Sequence, residues 1–336
     1  MTDLARKATE LFPVQFLGRG EEVRHGYINR TGELIIPPMF GSAWYFSAAT
    51  GLARAASLQD RWGHINVRGE WVTPPEYVEV RDFSEALATV GERVLGKCLY
   101  GYVDTTGALV IPCQYSLAGD FSEGKAWVEF KNEGYGFIGP DGRTIIPPRY
   151  RNAGDFKEGL APVQCQDGTW CYISESGEVC IPGGYARAFS FDCGIARVYT
   201  KADYSKAGAG YIDRTGTFVI PPKHNILLAF HEGLAGFAQR ERRYGFLDVE
   251  GKVVIRPRFF SAHEFSEGLA AALQVRFWIV YRAGYIDRQG RWAIEPKFER
   301  TESFRNGLGM VRLEGSDYDS YVDRNGKLVW VGPGKL

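Results

Sequence analysis

Cysteine is scarce: six in 336 residues are too few for a disulfide framework, and a reducing compartment would keep them as thiols. Net charge is missing as well. Lys plus Arg and Asp plus Glu both total 40, so no overall field draws the chain to nucleic acid or to an acidic membrane. No stretch approaches the roughly 20 apolar residues of a membrane span, and the opening MTDLARKATELFPVQFL has no basic segment leading into an apolar one. A soluble cytoplasmic protein with neither a nucleic-acid nor a membrane partner is expected. Catalytic signatures are lacking too, since no G-x-S-x-G, H-E-x-x-H, phosphate-binding loop or C-x-x-C occurs. His25, His231 and His263 have no spacing that pairs them with a nucleophile. The expectation is a non-enzyme without cofactor or metal.

What the sequence does have is a period. An aromatic or His followed five residues later by Gly occurs nine times, from Tyr27 and Gly32 through His64 and Gly69, Tyr102 and Gly107, to Tyr321 and Gly326. Eight residues past the Gly comes a second ring in the first eight copies, such as Phe40, Tyr115, His224 and Phe298. Six residues further stands a Phe every time: Phe46, Phe83, Phe121, Phe156, Phe191, Phe230, Phe265 and Phe304. Fixed offsets of this kind mark a tandem array of one small unit.

Punctuation resolves the unit into elements. In GYIDRTGTFVIPP, Gly210 to Pro222, an apolar pair, an Asp, two variable residues and Gly read as a hairpin with a three-residue loop, the Gly taking the left-handed position of a G1 bulge. Pro221 ends the second strand because proline cannot donate to a ladder and belongs at strand ends or edges. After the repeated Phe, Gly-Leu-Ala-x-Val, as at Gly159 to Val163, alternates like a half-buried strand. Each unit thus has three strands and room for a fourth.

This pattern resembles the WG repeat of bacterial proteins, whose name dipeptide stands at Trp62-Gly63 and is varied as Tyr-Gly at Tyr100, Tyr135 and Tyr244 and as Trp170-Cys171. The likeness extends from about Phe12 to Val331. It implies an all-β tandem array of about nine three- to four-stranded antiparallel units, propeller-like or open superhelical, and it brings no catalytic motif with it. Residues 1–11 are read as a helical cap, the helix spanning Leu4 to Leu11, 12–331 as the β array and 332–336 as a tail. The lone Phe12-Pro13-Val14 fits the Ala-x-Val slot. Neither end obviously supplies a strand missing from the other, and propellers typically have four to eight blades, which favours an open array.

Most repeated residues are explained by packing. Eight Phe in register are a core, and His64 and His224 occupy ring slots. Glu85, Glu123, Glu158, Glu232 and Glu267, each just before a small residue, have the form of a carboxylate ring for metal, but exposed turn chemistry accounts for them better. In the fifth copy Cys165, Cys171, Cys180 and Cys193 fall on what should be adjacent strands, as buried thiols or as a zinc site of unfamiliar spacing.

Individuality lies in the loops between each Ala-x-Val strand and the next aromatic, read as the joints between units. Those at 15–26, 91–101, 199–210 and 273–284 are longer than the rest. Variable loops on a constant scaffold are where binding is carried, and these loops hold Arg93, Lys97, Lys201, Tyr204, Lys206, Arg276, Phe277, Trp278, Tyr281 and Arg282. Arg and aromatics are the side chains of interface anchors. The expected function is a non-catalytic scaffold gripping a protein or peptide through these loops. A carbohydrate or cell-surface-polymer binder and an enzyme with an unrecognised site in the array groove are the alternatives.

Overall fold

A computed structural model of the chain describes residues 8–18, 20, 22–202, 208–238, 243–276 and 280–335. These residues form 36 strands grouped into nine four-stranded sheets. The expected all-β array of small antiparallel units is therefore what the chain adopts. The first half of the expected N-terminal helix, residues 4–7, lies outside the described residues; Ala8 to Leu11 make a single turn closed by Leu11 N–H donating to the Ala8 carbonyl at 3.4 Å. Among the described residues no helix is long and apolar enough to cross a membrane.

One sheet shows the plan. Ser42–Ala43, Leu52–Ala56, Trp62–Asn66 and Trp71–Tyr77 lie side by side in chain order, every pair antiparallel. The first strand is two residues long, the second is the Ala-x-Val strand, the third starts at the name dipeptide, and the fourth carries the prolines. A single residue, Gly41, links the preceding sheet's fourth strand, Leu34–Phe40, to Ser42. The sequence repeat is therefore out of phase with the sheets. Its hairpin supplies the third and fourth strands of one sheet and its Ala-x-Val strand the second strand of the next. The variable loops are accordingly hairpin tips within a sheet, not joints between sheets.

This offset puts the core in the seams. Tyr102, Ile111 and Tyr115 of one sheet pack with Ala118, Phe121, Ala126, Val128 and Ile138 of its successor, and Phe246, Ile255 and Phe259 pack likewise with Ala262, Phe265, Ala270, Ala272 and Ile286. The first ring and the repeated Phe, nineteen residues apart, meet at every seam where both are described: Tyr27 and Phe46 at 4.9 Å, His64 and Phe83 at 4.5 Å, Phe137 and Phe156 at 4.8 Å, Tyr285 and Phe304 at 4.6 Å between ring centroids. Their tilted or edge-to-face geometry is the favoured arrangement of aromatic pairs. Phe83 alone among the repeated Phe is only half-buried.

Local chemistry fixes the rest. Asp104 Oδ1 accepts from the backbone N–H of Thr106 at 2.8 Å and of Ala108 at 3.1 Å and from the Thr106 hydroxyl at 2.6 Å. Gly107, with φ of 86°, closes the turn where an L side chain would be strained. The Thr106 hydroxyl, followed by these amides, holds the Asp104 carboxyl below the usual range. In the name dipeptide a Cβ on Gly136 would stand 2.6 Å from the Ile146 carbonyl, and one on Gly210 2.6 Å from the Ile220 carbonyl. Glycine is required there by a close backbone approach.

The chain divides into two compact units. The first comprises 1–13, 18–29 and 33–196; the second comprises 14–17, 30–32 and 197–336. Within the second unit Phe16 and Leu17 of the Phe12–Leu17 strand pair in parallel with Gly334 and Lys335, and the Phe16 ring lies 5.4 Å from Trp330. The expectation that neither end supplies a strand to the other is thereby corrected. A two-residue strand, Gly334–Lys335, carries no periodicity to read.

The ring slots also have a polar function. Tyr102 donates its hydroxyl to the Gly119 carbonyl, Tyr172 to Phe189 and Tyr285 to Glu302, each at 2.8 Å and each seventeen residues on. His64 does the same with Nε2, 2.8 Å from the Arg81 carbonyl, while Nδ1 sits 3.0 Å from the Thr73 hydroxyl. Nε2 is thus the protonated nitrogen, and the ring is neutral. Burial, opposed by the Arg81 carbonyl, lowers its pKa to about 4. An unfolded His titrates near 6.5, so the unfolded state binds the proton first and stability falls as pH drops from about 6.5 to about 4, by about 3 kcal/mol if the full shift is expressed. His64→Tyr retains the bond to Arg81 and should flatten that part of the pH dependence of the melting temperature; an unchanged slope would show that His64 does not carry it.

Candidate interaction surface

The turn before each Ala-x-Val strand has a chemistry that spacing alone conceals. Ser84 donates its hydroxyl to the Phe121 carbonyl at 2.7 Å, Ser122 to Phe156 at 2.6 Å and Ser266 to Phe304 at 2.7 Å. The neighbouring Glu reaches the same way. Glu85 accepts from the backbone N–H of Glu123 and Gly124 at 2.6 and 2.8 Å, and Glu123 from Glu158 and Gly159 at 2.6 and 2.8 Å. Glu158 accepts from Gly194 at 3.0 Å, and in the second unit Glu232 accepts from Gly268 and Glu267 from Gly307, each at 3.0 Å. Each carboxylate grips the turn one repeat ahead, and each of these Glu residues has φ near +50°; the amides of Glu123 and Glu158 are themselves donors to the Glu behind. The Glu row is a chain of clasps, and neither a metal ring nor plain solvent exposure describes it.

A second row lies beside it in the first unit. Arg54, the middle residue of Ala-x-Val, pairs with Asp82 at 2.8 Å, Thr89 reaches Asp120 at 3.4 Å, and Trp127 Nε1 donates to Asp155 at 2.9 Å. Arg81 adds a bond to the Ala118 carbonyl at 3.1 Å. Burial raises the carboxyls of Asp120 and Asp155, with Arg81 opposing at the first and the Trp127 N–H at the second. The repeat-by-repeat variation of these positions hides the row from a search for identical residues.

The cysteines of the fifth copy do not gather. Cys165 and Cys171 touch, Sγ to Sγ 3.1 Å, whereas Cys180 and Cys193 are exposed and bond to the Glu178 carbonyl and Asp192. Among the described residues no three His, Cys, Asp or Glu side chains are placed to hold a metal ion.

The long loops all join second to third strands. Leu87–Val94 and Lys97–Asp104 make a ladder of eight residue pairs, against five in Leu52–Ala56 with Trp62–Asn66. Its tip is the two-residue turn Leu95-Gly96, with φ of 49° and 79°. Every residue from Glu92 to Lys97 is exposed, including the candidates Arg93 and Lys97. Lys201 is exposed beside Thr200, whose N–H donates to the Gly208 carbonyl at 2.9 Å; Tyr204 and Lys206 lie outside the described residues. So do Phe277 and Trp278, and of Arg276 the backbone alone is described, paired with Val280. Tyr281, 44% exposed, packs edge-on against Phe260 at 5.0 Å. Arg282 bonds the Tyr281 carbonyl at 3.0 Å and pairs with Glu314, bracing its hairpin against the neighbouring sheet.

The sequence pattern of the WG containing repeat matches residues 26–55, 62–92, 100–133, 135–170, 171–201, 210–241, 244–274 and 284–316. The chain belongs to the WG-repeat family. Each match begins at or near a third strand and ends in or beyond the second strand of the next sheet, so a WG repeat spans a seam. No curated protein matches the chain. Among solved structures, the computationally designed Ika8 protein aligns over 85% of this chain and 93% of its own at 10% identity and a TM-score of 0.50. BamB from Moraxella catarrhalis aligns over 78% and 91% at 10% identity and a TM-score of 0.46. PorZ from Porphyromonas gingivalis aligns over 96% and 52% at 11% identity and a TM-score of 0.38.

If the WG-repeat turns are clasped by their glutamates, Glu123→Ala removes two charge-assisted hydrogen bonds and should lower stability by about 1 kcal/mol, discounted for exposure. Glu123→Asp, one methylene short, should lose nearly as much. A melting temperature unchanged in both variants would show that the clasp contributes nothing.

Proposed function

We propose that this WG-repeat protein is a non-catalytic interaction scaffold that grips a protein or peptide partner through hairpins joining its second and third strands. Leu95 carries the proposal. It is 100% exposed and occupies the left-handed region, at the first position of a two-residue hairpin turn where Asn or Gly is the ordinary choice. A leucine there costs about 1 kcal/mol in backbone strain and gains nothing from its own fold. Observed strain of this kind supports a functional reading. Val94, also exposed, and the flanking Arg93 and Lys97 complete a fingertip with an apolar point and basic sides. Its complement is an apolar socket with acidic groups at the rim.

The backbone preference makes the test discriminating. Leu95→Asn gives the turn its favoured Asn-Gly sequence, so the melting temperature should hold or rise, while recovery of the partner by affinity purification from the native cell should fall severalfold relative to wild type. Equal recovery of every co-purifying protein by the two baits would refute the proposal.

A further inference from the structure

The fifth repeat departs from the pattern at two facing positions. Where Gly136 and Gly210 leave no room for a Cβ against the opposite carbonyl, this repeat has Cys171, and the strand opposite replaces the usual second proline and its successor with Gly183 and Gly184. A Cβ at 183 would lie 3.5 Å from that of Cys171 and 3.1 Å from the Thr169 hydroxyl. The fold has thus exchanged one missing side chain for another, and the room is given to a thiol. On the adjacent strand side Cys165 sits two residues beyond Val163, the direct partner of Cys171, and its sulfur is 3.1 Å from the Cys171 sulfur, closer than two sulfurs at van der Waals contact. Cys165 is partly exposed and Cys171 is 1% exposed.

We propose that Cys165 and Cys171 are a dithiol modification site that closes to a disulfide by exchange with low-molecular-weight disulfides. The Cys165 thiolate, reachable from solvent, attacks the reagent disulfide; its S–S bond breaks, one thiolate leaves with the Cys165 proton, and Cys165 carries a mixed disulfide. Cys171 sulfur then bonds to Cys165 sulfur as the mixed disulfide breaks, and the second thiolate leaves with the Cys171 proton. Two protein thiols lose two electrons and two protons, and one reagent disulfide becomes two thiols. Burial and the neighbouring Cys165 push the Cys171 thiol up to about 12, so the solvent-reachable Cys165 initiates, and Cys171 closes the bond because its sulfur stands beside that of Cys165. Diagonal partners across an antiparallel pair have Cα atoms about 7 to 8 Å apart, just beyond what a disulfide usually spans, so closure must draw the strand ends together and a reducing thiol reopens the bond.

Oxidised glutathione on the full-length protein, followed by acid quench, alkylation and trypsin, reads this out on the peptide from Glu158 to Arg187, which holds Cys165, Cys171 and Cys180. In wild type the peptide should lose two hydrogens and carry one alkyl group, at the exposed Cys180, and dithiothreitol before alkylation should restore all three. Cys171→Ser should trap glutathione on Cys165, and Cys165→Ser should leave Cys171 free to be alkylated. A wild-type peptide bearing three alkyl groups, or a stable glutathione adduct at Cys165, overturns the proposal. Should Cys171→Ser fail to fold, Cys180→Ser gives the same reading, with an oxidised peptide carrying no alkyl group as support and two alkyl groups as refutation.

Discussion

The ring pair at each seam is the interaction on which the architecture depends. A four-stranded sheet of strands two to eight residues long has little interior of its own, and it becomes stable by burying a face against a neighbour. Here the aromatic on the third strand of one sheet and the Phe leading into the second strand of the next are locked together at 4.5 to 5.0 Å. Because both belong to one sequence repeat, the covalent chain and the packing contact tie the same two sheets. Stability then accumulates from neighbour to neighbour, as in other repeat proteins. The Ser and Glu bonds between successive turns tie the same pairs of sheets as the rings do.

Much of the fold was legible because its determinants are few and repeat. Tyr27, Gly32, Phe40 and Phe46 recur at fixed offsets since each occupies a position where backbone geometry or seam packing admits few alternatives. The phase between repeat and sheet was not legible. A hairpin and the strand after it look the same in sequence whether they share a sheet or straddle two, and hydrogen-bond pairing decides between them. The pairing of Phe16 with Gly334 was hidden for a related reason, since two residues have no period. At the candidate site, the exposed hairpin of Arg93 and Lys97 could be located from loop length, but the left-handed conformation of Leu95 could not, because it lies in a backbone angle. Glu123 reads as a surface turn residue until its partner, a full repeat away, is known.

Substitutions inside the repeat obey the slot and not the residue. The Tyr hydroxyl at Tyr102 and the His64 Nε2 reach the same kind of carbonyl seventeen residues on, so the slot asks for a ring with a donor at its far edge. Thr73 appears opposite His64 where other repeats have Ile111 or Ile146 opposite their ring, giving the second nitrogen a partner. A ring without a donor, as at Phe137, keeps its packing against Phe156 and forgoes the bond. The exchange of Cys171 against Gly183 follows the same logic in volume instead of polarity.

The half-sheet offset of the repeat also bears on how such a chain can lengthen or shorten over evolutionary time. If a genetic crossover falls in the hairpin turns, between Gly107 and Gly142 for example, the excised or duplicated piece contains the latter strand of one sheet and the first three of its successor. The rejoined chain then pairs a fourth strand inherited from one copy with three strands inherited from another, and the seam at the junction still receives two rings, Tyr102 from one copy and Phe156 from the next. Copy number can thus drift without ever exposing a half-built core, a property that a repeat in phase with its sheets would obtain only from cuts falling at the single-residue links.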